Sequence, residues 1–492
     1  MIIMALLLLA LPLAAGLLCL IPASRKVLTA LNILGSLATA VAALTVSRTV
    51  FVHGPLLDLG EFIYVDSLGA FIIAIIAVVG LVSAFYSVSY INYDLKEGEI
   101  RENRLKWYYF WFYIFVFTML AVVMANNLGL MWVAIEGTTL ASALLVGFYD
   151  KQGSLEAAWK YIIICTVGIV FALFGTILLY YAAVSVIGEG SRALNWTNLV
   201  SSAELLNPRL LKLAFIFVLV GYGTKMGLAP MHTWLPDAHS QAPAPVSAML
   251  SGVLLNCALY GILRFHLITL KTLGTHFSAN LLLIFGLLSI AVSLPFILVQ
   301  HDFKRMLAYS SIEHMGIIAT AIGIGGKLGL YGAFLHMLNH AITKSTMFFV
   351  AGNVTQKYHT KKIGKITGVV RAMPFSGPVL LVCAFALAGA PPFNMFLSEF
   401  AIISSGFMQG KYLATGLMLG LITIVFAGLI FAAGKMAFGT PSAKIKPGEN
   451  GRWSAFIVTL PLIVILLMGI YVPSFVDKML TQVVSLMGGV QI

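Results

Sequence analysis

The chain has 492 residues, of which 60% are apolar and 10% charged, with a mean hydropathy of +0.98. Soluble domains carry about a quarter charged residues, so a water-soluble enzyme, a nucleic-acid-binding protein and a disordered scaffold are excluded. The net charge of +12 therefore reads as membrane orientation, not as a phosphate-binding surface. Cys19, Cys165, Cys257 and Cys383 each sit alone in an apolar run, so their spacing offers neither a disulfide frame nor an iron–sulfur cluster.

In chain order, residues 1–21 form an apolar run with no basic residue before it and Arg25 and Lys26 directly after, the pattern of a retained first span. Further runs long enough to cross a bilayer fall near 27–46, 65–90, 107–124, 127–148, 157–185, 211–229, 244–263, 281–299, 307–325, 328–352, 377–404, 412–434 and 453–473. The expected class is an all-α polytopic membrane protein with about 14 transmembrane helices. With Met1 outside, the inner loops hold twice as many Lys and Arg as the outer ones, Lys304 being counted inside and Arg264 outside. Both termini are thus expected outside. The longest polar connections, 92–106, 187–212 and 356–371, can cap helices but cannot enclose a cofactor pocket. Whatever this chain does, it does within the bilayer.

Two halves share an order of features. The first has Glu136, then Lys160, then Lys225 ahead of Gly-Leu-Ala-Pro ending at Pro230; the second has Glu313, Lys344, and Ala-Gly-Ala-Pro-Pro ending at Pro391 and Pro392, with Glu399 beyond. The prolines interrupt apolar spans and free backbone groups that hydrocarbon cannot satisfy, so such breaks belong beside protein or water. Paired broken helices point to an ion path between repeats; a packed kink is the plainer alternative.

Ionisable residues at mid-membrane cost roughly 2.5–3.5 kcal/mol each even on a lenient scale, so they need a reason. Glu136 lies ten residues past Asn126, about 15 Å deep at 1.5 Å per residue. Lys225 stands too deep to reach either surface easily, and mutual neutralisation of Glu136 and Lys225 is the expected resolution. A static packing pair would look the same. Lys160 lies nearer a helix end and could reach the surface. His336, Asn339, His340 and Lys344 form a stripe on one helix face, suited to proton hopping through interposed water. Interhelical hydrogen bonding is the alternative. No carboxylate or thiolate adjacent in sequence completes a metal site at His336 and His340, and no metal is expected. Glu313 and His314 form another polar pair; His232 and His239, after Lys225, read equally as relay groups or helix-end hydrogen bonders.

These residues carry a resemblance. KMGLAPMHTWLPDAHSQAP, QHDFKRMLAYSSIEHMG and LAGAPPFNMFLSEF look like signatures of the antiporter-like subunits of respiratory complex I, Mrp-type cation/proton antiporters and membrane-bound hydrogenases, over roughly residues 65–440. Within that family, WVAIEGTTLASALLVGFY, SLEAAWKYIIICTVG and SGVLLNCALYGILR are most similar to component F of hydrogenase-4 and its formate hydrogenlyase relatives. The resemblance implies two inverted five-helix repeats with broken helices 7 and 12. Spans 1–3 would occupy 1–106, the repeats 107–265 and 266–438, and the last span 439–492. It identifies Glu136 with the family's paired glutamate, Lys225 with its central lysine and Glu399 with the residue at the second break, and places His336 and His340 in the relay helix. Asn256 departs from the family: relatives often have a lysine there, and an amide orients water without titrating.

The resemblance also implies a proton- or sodium-translocating subunit of a respiratory complex, located in the cytoplasmic membrane. The chain would hold no catalytic centre or cofactor of its own, and a peripheral arm with a nickel–iron centre and iron–sulfur clusters would be its partner, alongside other membrane subunits and lipid. The expected path enters near Lys160 or His239, loads Lys225, crosses by water, Asn256, His314, His336 and His340, and leaves by Glu399. A self-contained sodium/proton antiporter and a non-pumping membrane scaffold are the rival functions.

Overall fold

The computed structural model describes residues 2–274 and 276–488. Helices α1 (Ile2–Leu20), α2 (Arg25–His53) and α3 (Ser67–Lys96) come first, with a small hairpin of β1 (Leu56–Asp58) and β2 (Ile63–Val65) between the last two. Next are α4 (Arg104–Met124), α5 (Leu128–Val146), α6 (Gln152–Ile187), the interrupted pair α7 (Pro208–Met226) and α8 (Trp234–Gln241), and α9 (Ala244–Leu273). Helices α10 (His276–Val299), α11 (Phe303–Ile324), α12 (Gly326–Tyr358), the interrupted pair α13 (Ser376–Leu387) and α14 (Asn394–Met408), and α15 (Tyr412–Ala437) follow. The chain ends with α16 (Arg452–Ile470) and the amphipathic α17 (Ser474–Gly488).

Ten of these helices are long and apolar enough to cross a membrane unaided. The remaining crossings are the short α1, the two interrupted pairs, and α12, whose polar stripe lowers its hydropathy. The protein is thus an all-α polytopic membrane protein. Large apolar residues such as Tyr181, Leu413 and Phe431 face outward while lysines lie inside, the reverse of a soluble domain.

Helices α4–α9 make the first five-span half and α10–α15 the second. Five crossings are an odd number, so the second half starts from the opposite end and runs inverted. Small residues let the helices approach closely: a Cβ on Gly168 of α6 would lie 2.6 Å from Thr224 of α7, and one on Gly323 of α11 would lie 2.5 Å from the Leu283 backbone of α10. The loops at 97–103, 147–151 and 359–375 share one end, called here the basic end.

Two residues read as loop lysine and loop arginine are neither. Lys304 is buried in the first turn of α11 and donates to the Ala242 carbonyl at 2.5 Å. Arg264 is buried in α9, where its guanidinium clamps Asp66 at 2.5 and 2.9 Å, donates to Tyr260 at 2.6 Å and lies over the Trp196 ring at 4.2 Å. Asp66 also caps α3, so the pair ties α3 to α9 at the end opposite the basic one. Moving Arg264 from loop to interior lowers the basic count at that end.

Candidate ion path

In the first half the decisive group is Lys225. It occupies the last turn of α7, which ends at Gly227 in the left-handed conformation (φ 83°) and gives way to the break containing Pro230. Lys225 is fully buried. Its ammonium donates to Thr139 Oγ1 at 2.9 Å and to the Tyr161 hydroxyl at 2.5 Å, and lies 4.6 Å from the Tyr161 ring centre. Thr139 in turn donates to Glu136 Oε2 at 3.1 Å, and Thr166 of α6 donates to Glu136 Oε1 at 3.0 Å. The expected direct pair is therefore replaced by a bridge: one threonine hydroxyl separates the carboxylate from the amine. Glu136 is only half-buried, on the flank of the bundle, so a hydroxyl of α5 reaches inward where the longer acid does not.

The same arrangement recurs in the second half with its order reversed. Lys344 of α12 donates to Ser310 Oγ at 2.8 Å, and Ser310 donates to Glu313 Oε2 at 3.5 Å, both on α11. All three are buried. Acid and hydroxyl are three residues apart in each case and share a helix face. The equivalence of the halves is incomplete. Lys160, on the third helix of the first half, is half exposed near the basic end and bonded to Glu156 at 2.6 Å and Asp237 at 3.5 Å, whereas Lys344, on the third helix of the second, is buried. Lys160 takes the surface-reaching alternative, and Asp237, which also accepts from Arg305, was not singled out from the sequence.

Beyond Glu313 a chain of polar contacts leads to the second break. His314 Nε2 lies 3.8 Å from Glu313 Oε2; His314 Nδ1 and His336 Nε2 share a hydrogen bond at 3.1 Å; His336 Nδ1 meets Ser398 Oγ at 3.0 Å. Glu399, beside Ser398, is buried at the start of α14 just past Pro391 and Pro392. Gly389, in the break at φ 74°, admits the Glu399 carboxylate where any Cβ would collide with it. His340 stands with its ring 5.3 Å from that of His314. His239 packs 5.3 Å from the Phe348 ring, two helical turns from His340 along the same stripe of α12.

Asn256 donates to the Gly252 carbonyl at 2.9 Å from directly after a π-helical turn, Leu250–Leu254, which sequence reading missed. Gly252 packs against the Ala341 carbonyl, next to His340, placing this irregular turn against the histidine stripe. A set of buried atoms in this region has no protein partner: His232 Nδ1, both nitrogens of His239 and His340, Asn256 Oδ1, His314 Nε2 and Asn339 Oδ1. Each would cost about 1–3 kcal/mol if left dry. Their polarity makes the interior between the halves a place for water.

A cleft of about 230 Å³ opens at the basic end, lined by Asp94, Tyr149, Gln241, Lys304, Gln356 and Lys361. Asp94 accepts from the Tyr149 hydroxyl at 2.6 Å and from Gln356 at 2.7 Å. Burial pushes the Lys361 ammonium below the ordinary lysine range, and it donates to the Ser240 carbonyl at 2.5 Å, next to His239.

Residues 125–427 match the family model described as "NADH:quinone oxidoreductase/Mrp antiporter, TM". The chain belongs to this antiporter-like membrane subunit family. Among its relatives, a hydrogenase-4 component F homolog of Methylacidiphilum infernorum is 43% identical over 388 residues, covering 79% of this chain and 81% of the relative. Hydrogenase-4 component B of Escherichia coli is 29% identical over 386 residues, with 76% of this chain but 55% of that one covered. A Na(+)/H(+) antiporter protein of Alkalihalophilus pseudofirmus is 32% identical over 361 residues, 70% of this chain and 43% of the relative. In fold, the antiporter-like chain superposes on a chain of an archaeal membrane-bound sulfane sulfur reductase with TM-score 0.86 at 24% identity, over 98% of this chain and 97% of the other. It superposes on a chain of the Mrp complex of Dietzia with TM-score 0.86 at 17% identity, over 99% and 97%.

Proposed function

We propose that this antiporter-like subunit translocates protons, or sodium ions, within a hydrogenase-4 or formate hydrogenlyase type complex. The observation that carries the reading is the twofold occurrence of a buried lysine joined through one hydroxyl to a carboxylate, continued in the second half by His314, His336 and Ser398 to Glu399. The 43% identity to a component F homolog favours the hydrogenase branch. The reading assigns the nickel–iron centre and iron–sulfur clusters to a peripheral partner arm, leaves this chain without a catalytic centre, and sets it beside other membrane subunits in the cytoplasmic membrane with both termini outside. Its repeats are 107–265 and 266–438, flanked by 1–106 and 439–492.

In this reading protons enter by the cleft at the basic end through His239, with Lys160 and Asp237 at its rim. Lys225 is loaded and unloaded as its bridge to Glu136 closes and opens, and Asn256, His340, His314 and His336 pass the charge by way of water to Glu399. His232 and Lys344 lie on the same route, and the breaks at Pro230 and Pro391–Pro392 expose backbone to it. Moving one charge against 150 mV takes about 3.5 kcal/mol at roughly 2.3 per 100 mV. Opening a buried charged pair changes the energy by about 3–5 kcal/mol, so the bridge is large enough to drive the step.

The Mrp likeness supports a second reading, membership of a sodium/proton antiporter. Purification from native membranes separates the two. Nickel–iron and iron–sulfur subunits retained with this chain support the hydrogenase reading. Sodium/proton exchange by vesicles holding this chain alone supports the antiporter.

A further inference from the structure

We propose that His314, His336 and Glu399 form a binding site for a divalent transition-metal ion of the zinc type, seated on the ion path and able to block it. Sequence spacing gave no third ligand for a metal, because the candidate carboxylate and the two rings lie on three helices. The fold assembles them: one ligand-capable atom from each of the three lies within 4.8 Å of the other two. His314 and His336 are fully buried and Glu399 nearly so.

The chemistry of the set suits zinc, which takes imidazole nitrogen and carboxylate oxygen in tetrahedral sites. Two nitrogens on one such ion are about 3.3 Å apart, given zinc–nitrogen bonds of about 2.0–2.1 Å. His314 Nδ1 and His336 Nε2 stand 3.1 Å apart. That contact now holds one proton between two rings. An ion taking both lone pairs would release this proton and leave each ring protonated on its other nitrogen. Both of those nitrogens have acceptors at hand: His336 Nδ1 has Ser398 Oγ at 3.0 Å, and His314 Nε2 has Glu313 Oε2 at 3.8 Å. Metal-bound histidines are ordinarily oriented by such outer partners. Charge also permits it: the Glu399 and Glu313 carboxylates oppose the dication, against the single Lys344 ammonium held off by Ser310. His340, with both nitrogens unpartnered, adds a further donor beside the site.

Binding does not depend on the translocation reading; only the block does. The test titrates Co(2+) into the purified full-length chain and follows its visible absorption. One equivalent with the strong bands of tetrahedral nitrogen–oxygen ligation, displaced by Zn(2+), is expected. Glu399→Gln, which keeps side-chain size, and His336→Ala should each weaken binding at least tenfold, whereas His301→Ala, at an exposed histidine, should leave it unchanged. Absence of stoichiometric binding, or equal binding by the Glu399→Gln and His336→Ala variants, overturns the proposal, as does loss on His301→Ala. Site binding with undiminished translocation in Zn(2+) supports the metal site and counts against the relay.

Discussion

A hydroxyl stands between acid and base in both halves, and this decides how residue substitutions should act. Thr139→Val removes the group that accepts from Lys225 and donates to Glu136 while keeping the shape. Redox-driven proton uptake by membrane vesicles should fall about tenfold, the effect of roughly 1.4 kcal/mol on the step, and Thr139→Ser should restore it. The buried Asp66–Arg264 clamp makes a different prediction. Asp66→Asn leaves the guanidinium unpaired at the end of the bundle and should cost about 3–5 kcal/mol of stability, read as a lowered melting temperature, with no direct effect on the path near Lys225. Glu136, Lys225 and Glu399 were legible in the sequence because a charge in oil demands a cause. Thr139, Tyr161, Ser310 and Ser398 were not. A helical hydroxyl commonly satisfies itself on its own backbone, as Thr176 does on the Ala172 carbonyl, so its presence signals nothing. Arg264 was misplaced because an arginine near a span's end ordinarily reaches for water, and only the fold reveals Asp66 beside it.

At the scale of elements, the two breaks were readable from Pro230 and from Pro391 and Pro392, since proline inside a span leaves backbone unsatisfied. The π turn at Leu250–Leu254 was invisible, being spelled in ordinary apolar residues; its trace is Asn256, whose amide donates to the Gly252 carbonyl. The second break depends on Gly389 for both its positive φ and the room it leaves for Glu399. Gly389→Ala should therefore displace that carboxylate and slow proton uptake while the protein still inserts and assembles, which blue-native gels would check against wild type. Gly168→Leu, at the closest approach of α6 to α7, should instead force apart the helices bearing Tyr161 and Lys225 and reduce assembly itself.

For the whole molecule, composition alone established the class, and the recurrence of Glu, Lys and a proline break indicated two halves. The second half's relay was only partly legible, because the helix stripe of α12 could be seen but not the helices facing it. The proposed orientation puts the basic end inside. The four native cysteines are buried, so Lys444→Cys, in the exposed 438–451 loop, gives a single reporter. A membrane-impermeant maleimide should label it only after right-side-out vesicles are opened. The central claim is that Lys225 carries the translocated charge, and redox-driven proton uptake in vesicles holding the assembled complex with Lys225→Ala measures it most directly. The account predicts that electron transfer continues while uptake through this chain disappears; an unchanged ratio of protons to electrons would contradict it.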